Sequence, residues 1–206
     1  MYVAIEGIKG SGKSSVLARV TQQLDADAVS YAMLRPYGMD TSGSPLDRIF
    51  AATGNLWPRA AVNWFYARRS DRRAARLHRR GGLVIGDRSI VTSYVTNWDQ
   101  RDPLGAMDRV DRLERRIALP DHVVLLDAPV DLALQRIGKR PKRRHGGNDE
   151  RRERLAEAAR AYRAMAEQSA RFGLGRVTWH LIDASRPLDV VSHEVLTLIT
   201  PHGATA

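Results

Sequence analysis

The sequence predicts an α/β fold in which a five-stranded parallel sheet is flanked by helices on both faces. Two observations carry this prediction. Short runs of apolar residues alternate along the chain with longer stretches of helical periodicity, as in parallel sheets whose strands are buried on both sides. Polar and charged residues directly follow several of the apolar runs. With right-handed crossovers these residues meet at the carboxyl edge of the sheet, where ligands collect.

Five apolar runs predict the strands. Valine, isoleucine and leucine dominate them, and polar or glycine-bearing segments bound them, which is typical of buried strands. In chain order the predicted strands are residues 2–6, 28–34, 83–86, 123–126 and 177–182.

Helical periodicity fills the segments between the strands. In the first such segment Val16, Leu17 and Val20 share one face, with Leu24 a turn further on. Pro45 suits the first turn of a short helix, and a pair of glycines at 81–82 ends a long one. The predicted helices are residues 14–24, 46–52, 57–80, 90–97, 104–119, 130–137, 149–172 and 188–199. No repeat or linker divides the chain, so we expect a single domain over residues 1–206.

The pattern G-x-x-x-x-G-K-S lies between the first strand and the first helix, at residues 7–14. Strand, glycine-rich loop and helix in this order are the context of a phosphate-binding loop, whose inward backbone N–H groups cradle an anion. Lys13 is expected to reach the β- and γ-phosphates of a nucleotide, and the Ser14 hydroxyl to bind Mg²⁺. The loop residues predicted to bind ATP are Gly7, Gly10, Ser11, Gly12, Lys13, Ser14 and Ser15.

Composition narrows the class of function. The formal net charge is +10, which suits either nucleic acid or substrates that carry several phosphates. The basic residues concentrate in residues 68–80 and 136–154 rather than in tails, and no zinc-ligand spacing or RNA-binding aromatic signature occurs. We therefore favour small phosphorylated substrates over nucleic acid. The chain has no cysteine, which excludes disulfides, and no apolar run of the ~20 residues that span a membrane, so we expect a cytoplasmic protein.

Several further segments, in their order and spacing, resemble the thymidylate kinase family of P-loop nucleoside-monophosphate kinases. Arg35-Pro36, followed by a glycine, is similar to the family's Arg/Pro loop after the second strand. Residues 65–69 match its F-x-A-x-R stretch, in which the residue at Phe65 stacks on the acceptor base and the residue at Arg69 hydrogen-bonds it. The resemblance thus implies an acceptor-binding region over about residues 35–80.

The third strand ends in Asp87-Arg88-Ser89, where the family has Asp-Arg-Tyr. The resemblance implies that Arg88 holds the acceptor phosphate and that Asp87 binds Mg²⁺ directly or through water. It also places Thr92 and Thr96 among the acceptor-binding residues.

Two segments resemble the donor side and the lid of the family. Residues 182–186 are similar to the loop that packs on the donor adenine, which implies ATP contacts from Ala184, Ser185 and Arg186. Residues of about 136–150 fall on the family's mobile lid. The basic residues expected there to stabilise the transferring phosphoryl group are Arg136, Arg140, Arg143 and Arg144, of which Arg136 is also expected to contact ATP. The resemblance further implies a homodimer.

The expected activity is Mg-ATP-dependent transfer of a phosphoryl group to a pyrimidine nucleoside monophosphate, dTMP or a modified analogue, giving the diphosphate. Three positions depart from the family pattern. Lys9 replaces an acidic residue in the phosphate loop and is expected to attract a phosphate, Thr96 replaces an aromatic residue near the sugar, and Ser89 replaces tyrosine.

Ser89 keeps an alternative open, because Asp-Arg-Ser partly resembles the Glu-Arg-Ser motif of deoxynucleoside kinases. The protein would then phosphorylate a nucleoside 5′-hydroxyl. A nucleic-acid-binding P-loop ATPase is a second alternative, but it needs an extra acidic residue after the fourth strand, and Asp127 is followed there by Ala128. A nucleotide-binding protein without catalysis is a third, although Lys13, Ser14, Asp87 and Arg88 are all present.

Overall fold

The computed structural model describes residues 1–34, 76, 79–113, 118–139 and 150–200. The predicted helix over residues 46–52 and nearly all of the one over residues 57–80 lie outside this part of the chain. No helix in the described part is long and apolar enough to cross a membrane.

Within the described residues, five strands form a single sheet, and all its strand pairs are parallel in the order β2-β3-β1-β4-β5. This confirms the predicted sheet. The strands are β1 (Tyr2–Glu6), β2 (Tyr31–Leu34), β3 (Leu83–Asp87), β4 (His122–Asp127) and β5 (Thr178–Asp183). The helices are α1 (Lys13–Ala26), α2 (Ile90–Thr96), α3 (Pro103–Leu113), α4 (Val130–Gly138), α5 (Arg152–Glu167) and α6 (Leu188–Ile199).

Helices cover both faces of the sheet, as predicted. Alternating residues of a strand point to opposite faces, and the buried side chains divide accordingly. Val3, Ile5 and Val124 belong to a core shared with α1 and α6. Val123 and Leu125 belong to the core on the other face, which α2, α3, α4 and α5 complete. Because β1 is the central strand, the glycine-rich loop that follows it starts at the middle of the carboxyl edge.

The largest boundary errors fall on three predicted elements. The strand predicted from residue 28 begins at Tyr31, because Ala28 has a φ of +53° and the Val29 N–H still bonds to the carbonyl of Leu24. The helix predicted to reach residue 119 does not extend that far, since residues 118–120 are not helical.

The long helix predicted over residues 149–172 is also shorter, spanning Arg152–Glu167. Residues 168–174 form tight turns in which the Leu174 N–H donates to the carbonyl of Ser169 at 2.8 Å. Gly173 adopts a φ of +68°, which glycine reaches without strain. These turns return the chain to the core, where Phe172 and Leu174 are buried.

Candidate active site

The glycine-rich loop after β1 packs directly on the backbone of β4 and α4. A β-carbon on Gly7 would lie 2.6 Å from the carbonyl oxygen of Leu126, and one on Gly10 would lie 2.4 Å from that of Ala133. Both glycines, and Gly12, have positive φ angles. Only glycine satisfies the close approach and the backbone conformation together, so these positions fix the curl of the loop.

Lys13, the first residue of α1, turns its side chain into this loop. The side chain is buried, and Nζ donates to the carbonyls of Gly7 at 2.6 Å and Ile8 at 2.7 Å and to Ser11 Oγ at 3.3 Å. Ser14 and Ser15 follow in the exposed first turn of α1, which contains no acidic residue. The positive dipole end of the helix there favours an anion.

A cavity of about 300 Å³ adjoins the loop. Arg136, at the end of α4, lines it and donates from Nη1 to the carbonyl of Ser11 at 3.4 Å. Ala184 and Arg186, which follow β5, line its other side. Most of the residues predicted to bind ATP thus surround one cavity; its lining is Gly10, Ser11, Gly12, Ser15, Val16, Arg136, Ala184, Arg186, Leu188 and Val191.

Hydrogen bonds within the loop after β5, and an ion pair to the helix that follows it, fix its conformation. Ser185 is exposed, and its N–H donates to Asp183 Oδ1 at 2.9 Å. Hydrogen bonds from the Ser185 hydroxyl and backbone lower the pKa of the Asp183 carboxyl. Arg186 donates from Nε to the carbonyl of Asp183 at 3.1 Å and forms an ion pair with Glu194 of α6. These contacts hold Ala184 against the cavity.

Asp87 ends β3, which lies next to β1 in the sheet, and it is in register with Ile5; Arg88 directly follows it. Arg88 has a φ of +75°, and its N–H donates to the carbonyl of Ile5 at 3.2 Å. A non-glycine residue in this conformation is strained, and such strain concentrates at functional sites. Its guanidinium donates from Nη1 to Thr92 Oγ1 at 3.2 Å.

Glu6, the last residue of β1, is a buried carboxylate directly before the glycine-rich loop. The sequence analysis did not single it out. It is fully buried, and both its oxygens accept hydrogen bonds. Oε1 accepts from the N–H and the hydroxyl of Ser89 at 2.7 and 2.8 Å. Oε2 accepts from Thr92 Oγ1 at 2.7 Å and from the Tyr162 hydroxyl at 2.9 Å. A glutamate ending an otherwise apolar strand was the available signal, since a buried charge must be compensated.

The sequence matches the profile of the family described as thymidylate kinase over residues 5–195. The chain belongs to the thymidylate kinase family. A thymidylate kinase of Methylococcus capsulatus (strain Bath) is 30% identical over 205 residues, covering 96% of this chain and 94% of the relative. One of Alkalilimnicola ehrlichii is 29% identical, covering 92% of this chain and 88% of the relative. This thymidylate kinase family member is therefore an enzyme of the nucleoside-monophosphate kinase class.

Among solved structures, a deoxyadenosine kinase from M. mycoides with bound dATP matches with a TM-score of 0.62. The match covers 96% of this chain and 98% of the other, at 18% identity. At 18% identity this match shows similarity of fold alone. The shared fold agrees with the five-stranded parallel sheet described above.

Of the remaining predicted site residues, Lys9 and Thr96 lie in the described part of the chain, and the others do not. Lys9 Nζ lies 3.7 Å from Glu150 Oε1, and the Thr96 hydroxyl donates to the carbonyl of Thr92 at 2.7 Å. The residues outside the described part are Arg35, Pro36, Phe65, Arg69, Arg140, Arg143 and Arg144.

Asp127 ends β4 beside the loop but is already engaged. Arg163 of α5 donates to both of its carboxylate oxygens, at 2.8 to 3.1 Å. The bidentate arginine compensates this carboxylate in place, and because Ala128 follows Asp127, the extra acidic residue that the ATPase alternative requires is not present at this strand end.

The donor set of the site fits magnesium. Ser14 supplies an exposed hydroxyl and Asp87 a half-buried carboxylate, and oxygen ligands of this kind suit Mg²⁺. No group of three or more metal-binding side chains occurs in the described part of the chain. Mg²⁺ commonly uses one or two protein oxygens together with phosphates and water, so two such residues are sufficient.

Proposed function

We propose that the protein transfers the γ-phosphoryl group of Mg-ATP to a pyrimidine nucleoside monophosphate, dTMP or a modified analogue, to give the diphosphate. The observation that carries the proposal is the placement of two cations at adjacent strand ends. Lys13 turns its side chain into the loop after β1, and Arg88 directly follows the neighbouring β3. One can neutralise the donor phosphates and the other the acceptor phosphate, which is the main requirement of phosphoryl transfer.

On the donor side, the phosphates of ATP would lie in the loop from Gly7 to Ser15, at the N-terminus of α1. The adenine would occupy the cavity between Arg136 and the Ala184–Arg186 loop. Ser14 and Asp87 would hold Mg²⁺, which would neutralise negative charge on the phosphates during transfer.

On the acceptor side, Arg88 would bind the monophosphate, with Thr92 and Thr96 beside it on α2. Arg35, Pro36, Phe65 and Arg69 would bind the acceptor, with Phe65 stacking on its base and Arg69 hydrogen-bonding it, as the family resemblance implies. The hydroxyl of Thr96 is engaged within its helix, so Thr96 would contribute its small size rather than a hydrogen bond.

A panel of acceptors tests the proposal. ADP release would be measured with Mg-ATP and dTMP, dUMP, dCMP, thymidine or deoxyadenosine, and each product identified by chromatography. We expect the highest kcat/KM for dTMP or another pyrimidine monophosphate. In Arg88→Ala this kcat/KM should fall by at least about tenfold, because the variant lacks the charged hydrogen-bond donor for the acceptor phosphate. Turnover of thymidine or deoxyadenosine but of no monophosphate would overturn the proposal in favour of a deoxynucleoside kinase.

A further inference from the structure

We propose that Glu6 is a positioning residue for phosphoryl transfer, which holds Arg88 in its acceptor-binding direction through Thr92 and is itself held by Tyr162. The inference rests on the proposed function, because Arg88 is the residue assigned to the acceptor phosphate. Glu6 ends β1, Thr92 lies on α2 and Tyr162 lies on α5. Glu6 thus joins three elements at the foot of the site.

The first argument is the cost of burying the carboxylate. Glu6 is completely excluded from solvent, and a buried charge destabilises a fold unless hydrogen bonds fully compensate it. Four donors do so here, two on each oxygen, all at 2.7 to 2.9 Å. An apolar side chain would fill the same space at lower cost, so the charge serves a purpose other than packing.

The second argument is the direction imposed on Thr92. A threonine hydroxyl has one proton and two lone pairs. Its proton is given to Glu6 Oε2 at 2.7 Å, so its lone pairs face away from the carboxylate. One of them accepts from Arg88 Nη1 at 3.2 Å. Glu6 therefore sets the orientation of the group that receives the Arg88 guanidinium.

The third argument is that no other hydrogen bond fixes the guanidinium within the described part of the chain. There, Thr92 is its hydrogen-bond partner, and the Arg88 backbone is in the left-handed region. A long side chain held at one nitrogen keeps its other N–H groups for a ligand. The direction of those groups depends on Thr92 and, through it, on Glu6.

Tyr162 completes the arrangement from the side of α5. Its hydroxyl donates to Glu6 Oε2 at 2.9 Å and lies 3.3 Å from Thr92 Oγ1. Burial and then the charge of Glu6 raise the pKa of the Tyr162 phenol, while the charge of Arg88 opposes the shift. The phenol therefore stays protonated as a donor. It contacts Glu6 and Thr92, which together with Arg88 form a relay of hydrogen bonds from the buried carboxylate to the guanidinium.

Removal of single hydroxyls tests the relay without removing the buried charge. Tyr162→Phe and Thr92→Val should each lower kcat/KM for dTMP by about tenfold, the effect of one weakened charged hydrogen bond, with the KM for ATP within about twofold. Thr92→Ser keeps the hydroxyl, so its kcat/KM for dTMP should be about tenfold higher than that of Thr92→Val. An unchanged kcat/KM for dTMP in both Tyr162→Phe and Thr92→Val would overturn the inference.

Tyr94→Phe is the matched control. Tyr94 lies buried on the same helix as Thr92, and its hydroxyl donates to Asp111 Oδ1 at 2.6 Å, outside the relay. Both phenylalanine variants should lose thermal stability, but only Tyr162→Phe should lose kcat/KM for dTMP. Equal losses of kcat/KM in the two variants would mean that Tyr162 acts through stability alone, and the inference would fail.

A double-mutant cycle separates this inference from the proposed function. In an Arg88→Lys background, Thr92→Val should have less than a threefold further effect, because the group that Thr92 positions is already changed. A full tenfold loss there would show that Thr92 acts independently of Arg88, and it would overturn the inference alone. An unchanged kcat/KM for dTMP in Arg88→Lys and Arg88→Ala would overturn the acceptor site itself.

Discussion

Lys9 puts a positive charge in the phosphate loop, at a position where the family usually has an acidic residue. Its Nζ is 3.7 Å from Glu150 Oε1, and the two side chains are 36% and 33% exposed. An ammonium group can donate to phosphate oxygens but cannot accept a hydrogen bond from a sugar hydroxyl. The charge of Lys9 therefore favours a monophosphate acceptor and a weak dependence on its 3′-hydroxyl.

The first prediction follows from this charge. The ratio of kcat/KM for dTMP to that for its 3′-deoxy analogue should rise by one to two orders of magnitude in Lys9→Asp/Glu150→Gln, because a charged hydrogen bond contributes about 1.5–3 kcal/mol. The second substitution avoids two adjacent carboxylates. Glu150→Gln alone is the control and should keep the wild-type ratio. If the double variant also keeps it, Lys9 does not face the sugar.

The second prediction concerns Gly10, whose added β-carbon would lie 2.4 Å from the carbonyl oxygen of Ala133. Gly10→Ala should lower the free energy of unfolding by about 1–3 kcal/mol and weaken ATP binding by more than about tenfold. Thermal denaturation and titration with a fluorescent ATP analogue measure the two effects.

Gly138→Ala is the control for Gly10, since a β-carbon at Gly138 meets no atom within 4 Å. That variant should keep its affinity for ATP and lose no stability, because alanine is the better helix former. Unchanged ATP binding in Gly10→Ala would contradict the tight packing of the loop on α4.

At the scale of elements, α4 and the segment after it carry the arginines that we expect to act in catalysis. Within the described residues, Arg136 reaches the loop through the carbonyl of Ser11. The third prediction is that at least one of Arg136→Ala, Arg140→Ala, Arg143→Ala and Arg144→Ala lowers kcat by 10³–10⁵, about the contribution of a catalytic arginine.

The control for these four variants is Arg154→Ala on α5, an exposed arginine whose ion pair with Glu157 is 2.9 Å long. It should keep wild-type kcat, since exposed pairs contribute little. If none of the four falls even tenfold, the transition-state charge is neutralised elsewhere, and Lys9 becomes the next residue to test.

The edge of the sheet supplies a fourth prediction. His122 of β4 and His180 of β5 stack with ring centroids 5.4 Å apart, and Nδ1 of the first lies 3.1 Å from Nε2 of the second. Burial and then the neighbouring His122 lower the pKa of His180. As the pH falls, the unfolded state therefore gains a proton at His180 before the folded state does.

The stability that His180 contributes is thus present above its ordinary pKa of about 6.5 and is lost as the pH falls below that value. Between about pH 7.5 and pH 5.5, the melting temperature should fall further in the wild type than in His180→Gln. Melting curves at several pH values measure the difference. Equal slopes in the two proteins would show that His180 is not responsible.

At the scale of the whole molecule, the features that could be predicted from the sequence are local. The bounds of β1 and α6 agree with the prediction, because apolar periodicity and flanking turns decide them. The position of the glycine-rich loop between β1 and α1 follows from glycines within one short segment. The boundaries that were wrong, at β2, α3 and α5, depend on turns whose hydrogen bonds the apolar pattern does not reveal.

The features that could not be predicted depend on residues far apart in the chain. The donors to Glu6 include Ser89 and Tyr162, which are 83 and 156 residues away. The ion pairs of Asp127 with Arg163 and of Lys9 with Glu150 also join residues from different elements or loops. Periodicity and spacing predict which strand each residue ends, but the partner of a side chain emerges only when helices dock on the sheet.

The central claim is phosphoryl transfer from ATP to a nucleoside monophosphate at the Lys13 loop. Its most direct test is ³¹P NMR of a mixture of dTMP, Mg-ATP and enzyme, with Lys13→Ala in parallel and circular dichroism to confirm its fold. We predict dTDP and ADP in equal amounts with the wild type, and a rate at least about 100-fold lower with Lys13→Ala, since its charge stabilises the transition state electrostatically. No diphosphate from dTMP or any other monophosphate with the wild type, or a wild-type rate with Lys13→Ala, would contradict the account.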